Sequence, residues 1–491
     1  ADERAAAAVD VIPLALRLRG ELDIDALRAA LADVVERHEP LRTRYPDTAD
    51  GPVQVVEPAA AHIPALRVAA VSEQTLAERI AGICATEFDL TVETGLRAEL
   101  FALSADHHVL LLVLHHICAD GLSLGPLAAD VTAAYAARRD GRAPGWQDLP
   151  VRYRDYTLWQ AEVLGDPADP ESELSRQREF WRTRLAGVPE QLELPTDRPR
   201  PATPSYRAGS HRFQIDSDLH SELGELARKH ETTLFSTVHA ALAVLLSRMS
   251  GTSDIAIGTP VAGRGEAALD PMVGMFVNTI VLRSEVDSRE HFHTVLDTVR
   301  AQDISALSQV DVPFEQVVEM LAPARTASRH PLFQVALTFQ NFTLPEVELP
   351  GLHVMPEAVD AAAVAFDLQF TLVESIDDDG RAGGMSVEIT YATDLFDAAT
   401  IAELARRFEQ VLAAVSHDHT VVVGDIQLLS AEEQHRALYE WSVSGDDRSE
   451  TTTIAARFAA AARADRTAVA VRAGDATLTY GELEDRAQGL A

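Results

Sequence analysis

A run of six apolar residues, Val-Leu-Leu-Leu-Val-Leu at 109–114, constrains this chain more than any other feature. It is too short for a helix of that hydrophobicity. It also falls well below the roughly 18–20 apolar residues that a membrane helix needs, and no other segment reaches that length. It predicts a strand buried on both faces, the kind found inside α/β folds. His115-His116-Ile117-Cys118-Ala119-Asp120-Gly121 follows at once, and Asp120-Gly121 breaks the strand. Residues 123–138 then read as a helix, with Ser123 as its cap and Pro126 in its first turn.

Strand and helix patterns alternate on either side of this run. Residues 23–38 form an amphipathic helix pattern, with Leu27, Leu31, Val34 and Val35 on one face and Glu39-Pro40 as its stop. A strand pattern follows at 53–57. Proline crowds the stretch 194–204, which predicts an extended connector. Beyond it a helix at 233–249 precedes strands at 255–260 and 276–282. Asp397 opens a helix with Ile401, Leu404, Phe408, Leu412 and Val415 in one stripe. At 491 residues the chain exceeds one hydrophobic core. The reading is two α/β lobes, 1–180 and 206–430, joined by a connector at 181–205. A polar linker covers 431–450, and 451–491 begins a further unit.

The formal net charge of −34, from 76 acidic and 42 basic residues, argues against nucleic acid and anionic membranes as partners. A solvated acidic surface is the plain reading. Two cysteines, Cys84 and Cys118, imply no disulfide framework and suit a reducing compartment. The first residues lack the apolar core of a signal peptide. A cytoplasmic, monomeric protein is expected.

The chemistry concentrates at the end of the buried run. Alternation along a strand sends His115 and His116 to opposite faces, so only one can enter a given cavity. His107 and His108 precede the run. At about 3.3 Å per strand residue the two histidine pairs lie too far apart for one ion, and no metal site is expected. Imidazole, with an unperturbed pKa of about 6.5, can accept a proton near neutrality. Asp120 can orient a neighbour or pair with an arginine, and Gly121 lets the backbone bend. Cys118 beside a histidine suggests a thiol nucleophile, but a small apolar role suits its position better.

Other segments accompany this one in order: Arg37-His38-Glu39-Pro40-Leu41-Arg42-Thr43, Tyr153-Arg154-Asp155-Tyr156-Thr157-Leu158-Trp159, Gly274-Met275-Phe276-Val277-Asn278-Thr279, Asp311-Val312-Pro313-Phe314-Glu315 and Ser328-Arg329-His330-Pro331-Leu332. With His-His-x-x-x-Asp-Gly they resemble the motifs of nonribosomal peptide synthetase condensation domains, over roughly residues 10–430. These are relatives of chloramphenicol acetyltransferase. The family's first, aromatic-containing element has no counterpart here. Gln309-Val310 stands where His-Gln is usual, and Leu122 stands where tryptophan is common. Leu478-Thr479-Tyr480-Gly481-Glu482-Leu483 resembles the first element of an adenylation domain.

The resemblance implies two chloramphenicol-acetyltransferase-like lobes in a V-shaped pseudo-dimer with a central tunnel. It implies amide formation between a donor acyl or peptidyl thioester and the α-amine of an acceptor aminoacyl thioester. Both would ride on 4'-phosphopantetheine arms of donor and acceptor peptidyl carrier proteins, with no cofactor on this chain. An adenylation domain of the same polypeptide would be a further partner. His116 would face the tunnel, as general base or as a group holding the amine, and both roles stay open. Gly121 would offer its N–H to the developing oxyanion. His115, Asp120, Arg264, Arg37 and Arg42 would support the site, Asp120 by pairing with Arg264. Asn341 would lie near the reacting carbonyl. Trp159 and Trp181 read as packing residues. The acidic charge suggests that carriers dock through apolar contacts more than through steering. An epimerization domain and a non-catalytic recruitment domain of the same fold are the rivals. The second would lose the histidine pair, which is intact here.

Overall fold

The computed structural model describes residues 8–490, apart from 50, 324, 325, 327, 341–348, 360–362, 378, 443–451 and 475. Two compact units result, 1–428 and 429–491. The first holds both halves of the expected α/β arrangement, each built on its own sheet.

The first half runs β1 (Val11–Gly20), α1 (Ile24–Arg37), β2 (Arg67–Ala70), α2 (Glu73–Cys84), β3 (Leu96–Ser104), β4 (His107–His115), α3 (Leu124–Arg139), α4 (Tyr153–Leu164) and α5 (Glu173–Arg184). Asp23 starts α1, accepting from the Ala26 N–H at 2.9 Å. β4 lies between β1 and β3, antiparallel to both. Its alternation feeds two layers. Val109, Leu111 and Val113 pack with Leu76, Ile80 and Cys84 of α2. Leu110, Leu112 and Leu114 pack with Leu27 and Leu31 of α1 and Val131 and Tyr135 of α3. The strand is buried on both faces because each face has its own helix layer.

The second half runs β5 (Ala208–Ile215), α6 (Ser217–Lys229), α7 (Leu234–Ser250), β6 (Asp254–Val261), β7 (Asn278–Glu285), α8 (Phe292–Leu307), α9 (Phe314–Leu321), β8 (Val335–Gln340), β9 (Leu352–Pro356), β10 (Leu368–Ile376), β11 (Ala382–Ala392) and α10 (Ala398–His417). Its sheet has the order β7-β6-β8-β10-β11-β5. Residues 236–247 of α7 are all buried in the second core, beside the α10 stripe of Ile401, Leu404, Phe408, Leu412 and Val415.

Three local expectations change. β9 belongs to the stretch assigned to the second lobe, yet it pairs antiparallel with β1 and completes the first sheet, β9-β1-β4-β3-β2. Ser123 does not cap α3 with its side chain: it ends a separate 3-10 turn, Gly121–Ser123, and bonds elsewhere. The strand pattern at 53–57 yields only Val55–Val56, paired with Thr43–Arg44. No helix or strand forms within 194–204, and the preceding helix α5 ends at Arg184.

The second unit holds a short helix, Ala431–His435, a π-helical turn, Arg436–Trp441, and then helix Ile454–Ala464, hairpin Val469–Ala473 with Ala476–Thr479, and helix Tyr480–Gln488. Thr479 and Glu482 cap the last helix reciprocally.

His330 sits among Phe314, Phe333 and Phe366 at ring distances of 5.5, 4.4 and 4.8 Å. Burial lowers it from the ordinary histidine value to about 4. The unfolded chain therefore binds the extra proton between about 6.5 and 4, and the stabilisation present above that window is lost as pH falls through it. A His330→Phe variant should reduce the loss of stability between pH 7 and 4.5 by on the order of 2 kcal/mol. Urea unfolding at several pH values measures this.

Candidate active site

β4 ends on His115, whose N–H donates to the Gly95 carbonyl at 2.8 Å. His116 is not a strand residue: it opens a 3-10 turn, His116–Cys118. Strand alternation therefore separates the two rings only in part, and the turn supplies the rest. The His115 ring turns back on its own chain, with Nδ1 accepting from the Ile117 N–H at 3.1 Å, and stands T-shaped to the Phe88 ring with centroids 5.7 Å apart. Burial holds His115 below the ordinary histidine range. The Cys118 thiol is fully buried, lies 3.0 Å from the His115 carbonyl oxygen and 3.2 Å from that of Gly95, and is pushed up to about 12 by burial. It is a packing group, not a nucleophile. A Cβ at Gly95 would stand 2.9 Å from its sulfur, so glycine lets β3 approach the turn. His116 is half-buried, and its Nδ1 is buried without a hydrogen-bond partner. Its turn packs against a second one, Glu39–Arg42.

Asp120 caps the next turn. One carboxylate oxygen accepts from the Ser123 N–H and hydroxyl, both at 2.8 Å, and faces Arg264 at 3.3 Å. The other accepts from the Phe276 N–H at 2.9 Å. Asp120 and Arg264 are each only 5% exposed at the side chain, so each needs the other. Among the described residues, none of these Asp120 bonds reaches a histidine. Arg264 also donates to the Leu269 and Met272 carbonyls at 2.6 and 2.9 Å, and to Ser123 Oγ at 2.9 Å, and lies over the Phe276 ring. Ser123 Oγ in turn accepts from the Gly274 N–H at 3.1 Å. The residues around Gly274 are thus pinned to the turn that follows His116.

Further groups hold the same segment. Val273 N–H donates to His38 Nδ1 at 3.3 Å, and His38 Nε2 lies 2.8 Å from Asp130. Burial lowers His38 despite that carboxylate, so the neutral ring accepts on one side and donates on the other. Tyr153 donates to the Met275 carbonyl at 2.6 Å. A Cβ at Gly274 would stand 2.4 Å from the Tyr153 ring, which explains the glycine. Arg37 pairs with Asp130 at 2.8 Å and donates to the Gln147 carbonyl at 2.6 Å. Arg42 donates to the Glu57 carbonyl at 2.6 Å.

The structure therefore brings His115, His116, Asp120, Gly121 and Arg264 to one locality, with Arg42 in the neighbouring turn and Arg37 a layer behind. Asn341 lies outside the described residues. Trp181 is buried, whereas Trp159 is 46% exposed and lies 6.1 Å from the Tyr156 ring. Asp130 was not anticipated, and Ser123, His38 and Tyr153 were named without these contacts. The Asp-x-x-Ser spacing at 120–123, a capping-box pattern, carries the signal for Ser123.

Two outcomes follow. Asp120→Ala or Arg264→Ala alone should cost about 3–5 kcal/mol, since each leaves a buried charge unpaired. The double variant should cost less than the two costs added, by about 0.5–3 kcal/mol, as denaturant unfolding can measure. Cys118→Ala should leave turnover within about threefold of wild type, because a thiol held up by burial offers no thiolate at neutral pH.

Comparison with known proteins identifies the family. A profile of the family described as Condensation domain matches residues 10–438. CymA, a nonribosomal peptide synthetase of Salinispora arenicola, is 44% identical over 98% of this chain. A dimodular nonribosomal peptide synthase of Bacillus subtilis is 41% identical over 98%. The chain spans only 6% and 20% of these relatives. Among solved structures, the X-domain in a complex with OxyB from teicoplanin biosynthesis is 37% identical, with a TM-score of 0.81 over 87% of this chain and 95% of that one. The fold is the chloramphenicol-acetyltransferase-like one, and the chain belongs to the condensation-domain family of nonribosomal peptide synthetases.

Proposed function

We propose that this domain forms a peptide bond between a donor acyl or peptidyl thioester and the α-amine of an acceptor aminoacyl thioester. Both are delivered on phosphopantetheine arms by carrier proteins, through a passage between the two halves. The observation that carries this reading is the His116 ring: half-buried, lifted off the sheet by its own turn, with Nδ1 unpartnered. Much of the rate gain comes from holding amine and carbonyl together. His116 takes the amine proton as general base, or holds the amine by a hydrogen bond. Gly121 is the first residue of its 3-10 turn, where an N–H is left outside the turn's own bonding, and it serves the developing oxyanion. Asp120 and Arg264 keep this constellation in place without touching the reactants. Residues 451–490 resemble the opening of an adenylation domain, which would follow in the same polypeptide.

The likeness to an X-domain solved with OxyB supports a second reading, a recruitment domain of the same fold. The intact histidine pair favours catalysis. A reconstituted reaction with loaded donor and acceptor carriers, read by intact-protein mass spectrometry, separates the two. His116→Ala should lower the single-turnover rate by about 10²–10⁴-fold if general base help is in play. No product from either protein would favour recruitment, and equal product rates would remove His116 from the reaction.

A further inference from the structure

Two His-x-His pairs, His291-Phe292-His293 and His417-Asp418-His419, lie far apart in sequence. The fold sets three of their rings in one cluster with His230. Ring centres stand 5.1 Å apart for His230 and His419, 5.5 Å for His291 and His293, 5.8 Å for His293 and His419, and 6.2 Å for His230 and His293. His230 follows α6, His291 and His293 open α8, and His419 stands just past α10. The segment after α10 runs antiparallel beside the start of α8. Phe292 and His293 donate their N–H groups to the Val421 and His419 carbonyls, both at 2.9 Å. Val423 and Gly424 donate theirs to the Glu290 and Ser288 carbonyls at 2.9 and 2.7 Å. This segment leads out of the first unit, which ends at Leu428.

The partners fix where the ring protons sit. A carbonyl only accepts, so His291 Nδ1 donates to Thr420, and His293 Nδ1 donates to His419 at 3.3 Å. An ammonium only donates, so His419 Nε2 accepts from Lys229. The His419 proton is then on Nδ1, which is buried without a hydrogen-bond partner. A second proton would have to enter at Nε2, against the Lys229 ammonium. Burial lowers His419 from the ordinary histidine value, and Lys229, His230 and His293 lower it further against the pull of Asp418. The other charges nearby compensate little. His230 Nδ1 lies 3.4 Å from Asp297. Asp418 is occupied by the Thr420 N–H and hydroxyl at 2.8 and 2.6 Å. Glu231 faces Arg300 at 3.9 Å, and His417 is exposed at the end of α10. Two carboxylates, Asp297 and Asp418, thus face four imidazoles and an ammonium.

We propose that this cluster is an acid-released fastening, which holds residues 418–424 beside α8 at neutral pH and lets them go as the rings take up protons. A protonated His419 loses Lys229 as its donor and meets it as a like charge. Each further proton adds another cation within about 6 Å of the first. The released segment binds a proton more readily than the fastened one. The fastening is therefore complete above about pH 6.5 and weakens as pH falls below it. Whatever the chain carries beyond residue 428 then hangs on a longer tether in acid. The device is independent of the reaction proposed above.

Hydrogen exchange on the full chain at pH 7.5 and 5.5, corrected for the intrinsic rate at each pH, tests this without any turnover. One histidine that stays neutral when fastened and titrates near 6.5 when released makes opening about tenfold easier at the lower pH. Amides of 421–424 and 292–293 should lose about that much protection, while 236–247 in α7 keep theirs. His419→Gln can still accept from Lys229 but cannot take up a proton, so its protection should be the same at both pH values. Lys229 is exposed, so Lys229→Gln should fold normally even if His419→Gln does not. With the ammonium gone, the loss between the two pH values should shrink to a few-fold. Unchanged protection in wild type at pH 5.5 overturns the assignment. So does a tenfold loss that persists in His419→Gln, or in Lys229→Gln where His419→Gln fails to fold.

Discussion

A single buried carboxylate organises this domain. Asp120 stands just after the His116 turn of the first half, and its oxygens meet Ser123, Arg264 and the Phe276 N–H. Two of these partners come from the second half, more than 140 residues away in sequence. A charge in so dry a place is tolerable only when paired and hydrogen-bonded. That requirement fixes where the segment around Gly274 must lie. Tyr153, His38 and Ser123 close on the same segment, so four groups of the first half agree on one position for it. The His116 turn inherits its placement from this arrangement.

The sequence announced this only in part. The helix expected at 23–38 spans Ile24–Arg37, because a 3.6-residue apolar period and an acidic cap are local signals. The buried strand is equally local, and it spans His107–His115. The pairing of Leu352–Pro356 with Val11–Gly20 has no local signature, since register between distant strands depends on how the halves meet. Strand alternation was expected to part His115 from His116, yet the strand ends at His115. Ser123 was read as a helix cap, when its hydroxyl serves Asp120 and Gly274 instead. Trp159 was read as a packing residue, and it is 46% exposed. A tryptophan's placement depends on whether a neighbouring element covers it, which no local period reports.

The electrostatics are uneven in an instructive way. The chain is strongly acidic, yet several buried ion pairs among the described residues use an arginine, as with Arg264 and Asp120, Arg37 and Asp130, or Arg200 and Asp367. Guanidinium suits such places because it stays charged and forks across several acceptors. Arg264 illustrates the benefit, joining two carbonyls, a hydroxyl and a carboxylate at once. The bare acidity of the surface and the arginine-laced interior therefore do different work, one for solubility and the other for placement.

Hydrogen exchange read by mass spectrometry probes the coupling most directly. In an Asp120→Asn protein, residues 116–124 and 272–276 should lose protection together, while 398–417 stays as slow as in wild type. A rise confined to 120–124, with 272–276 unchanged, would contradict the claim that this carboxylate holds the two halves in register.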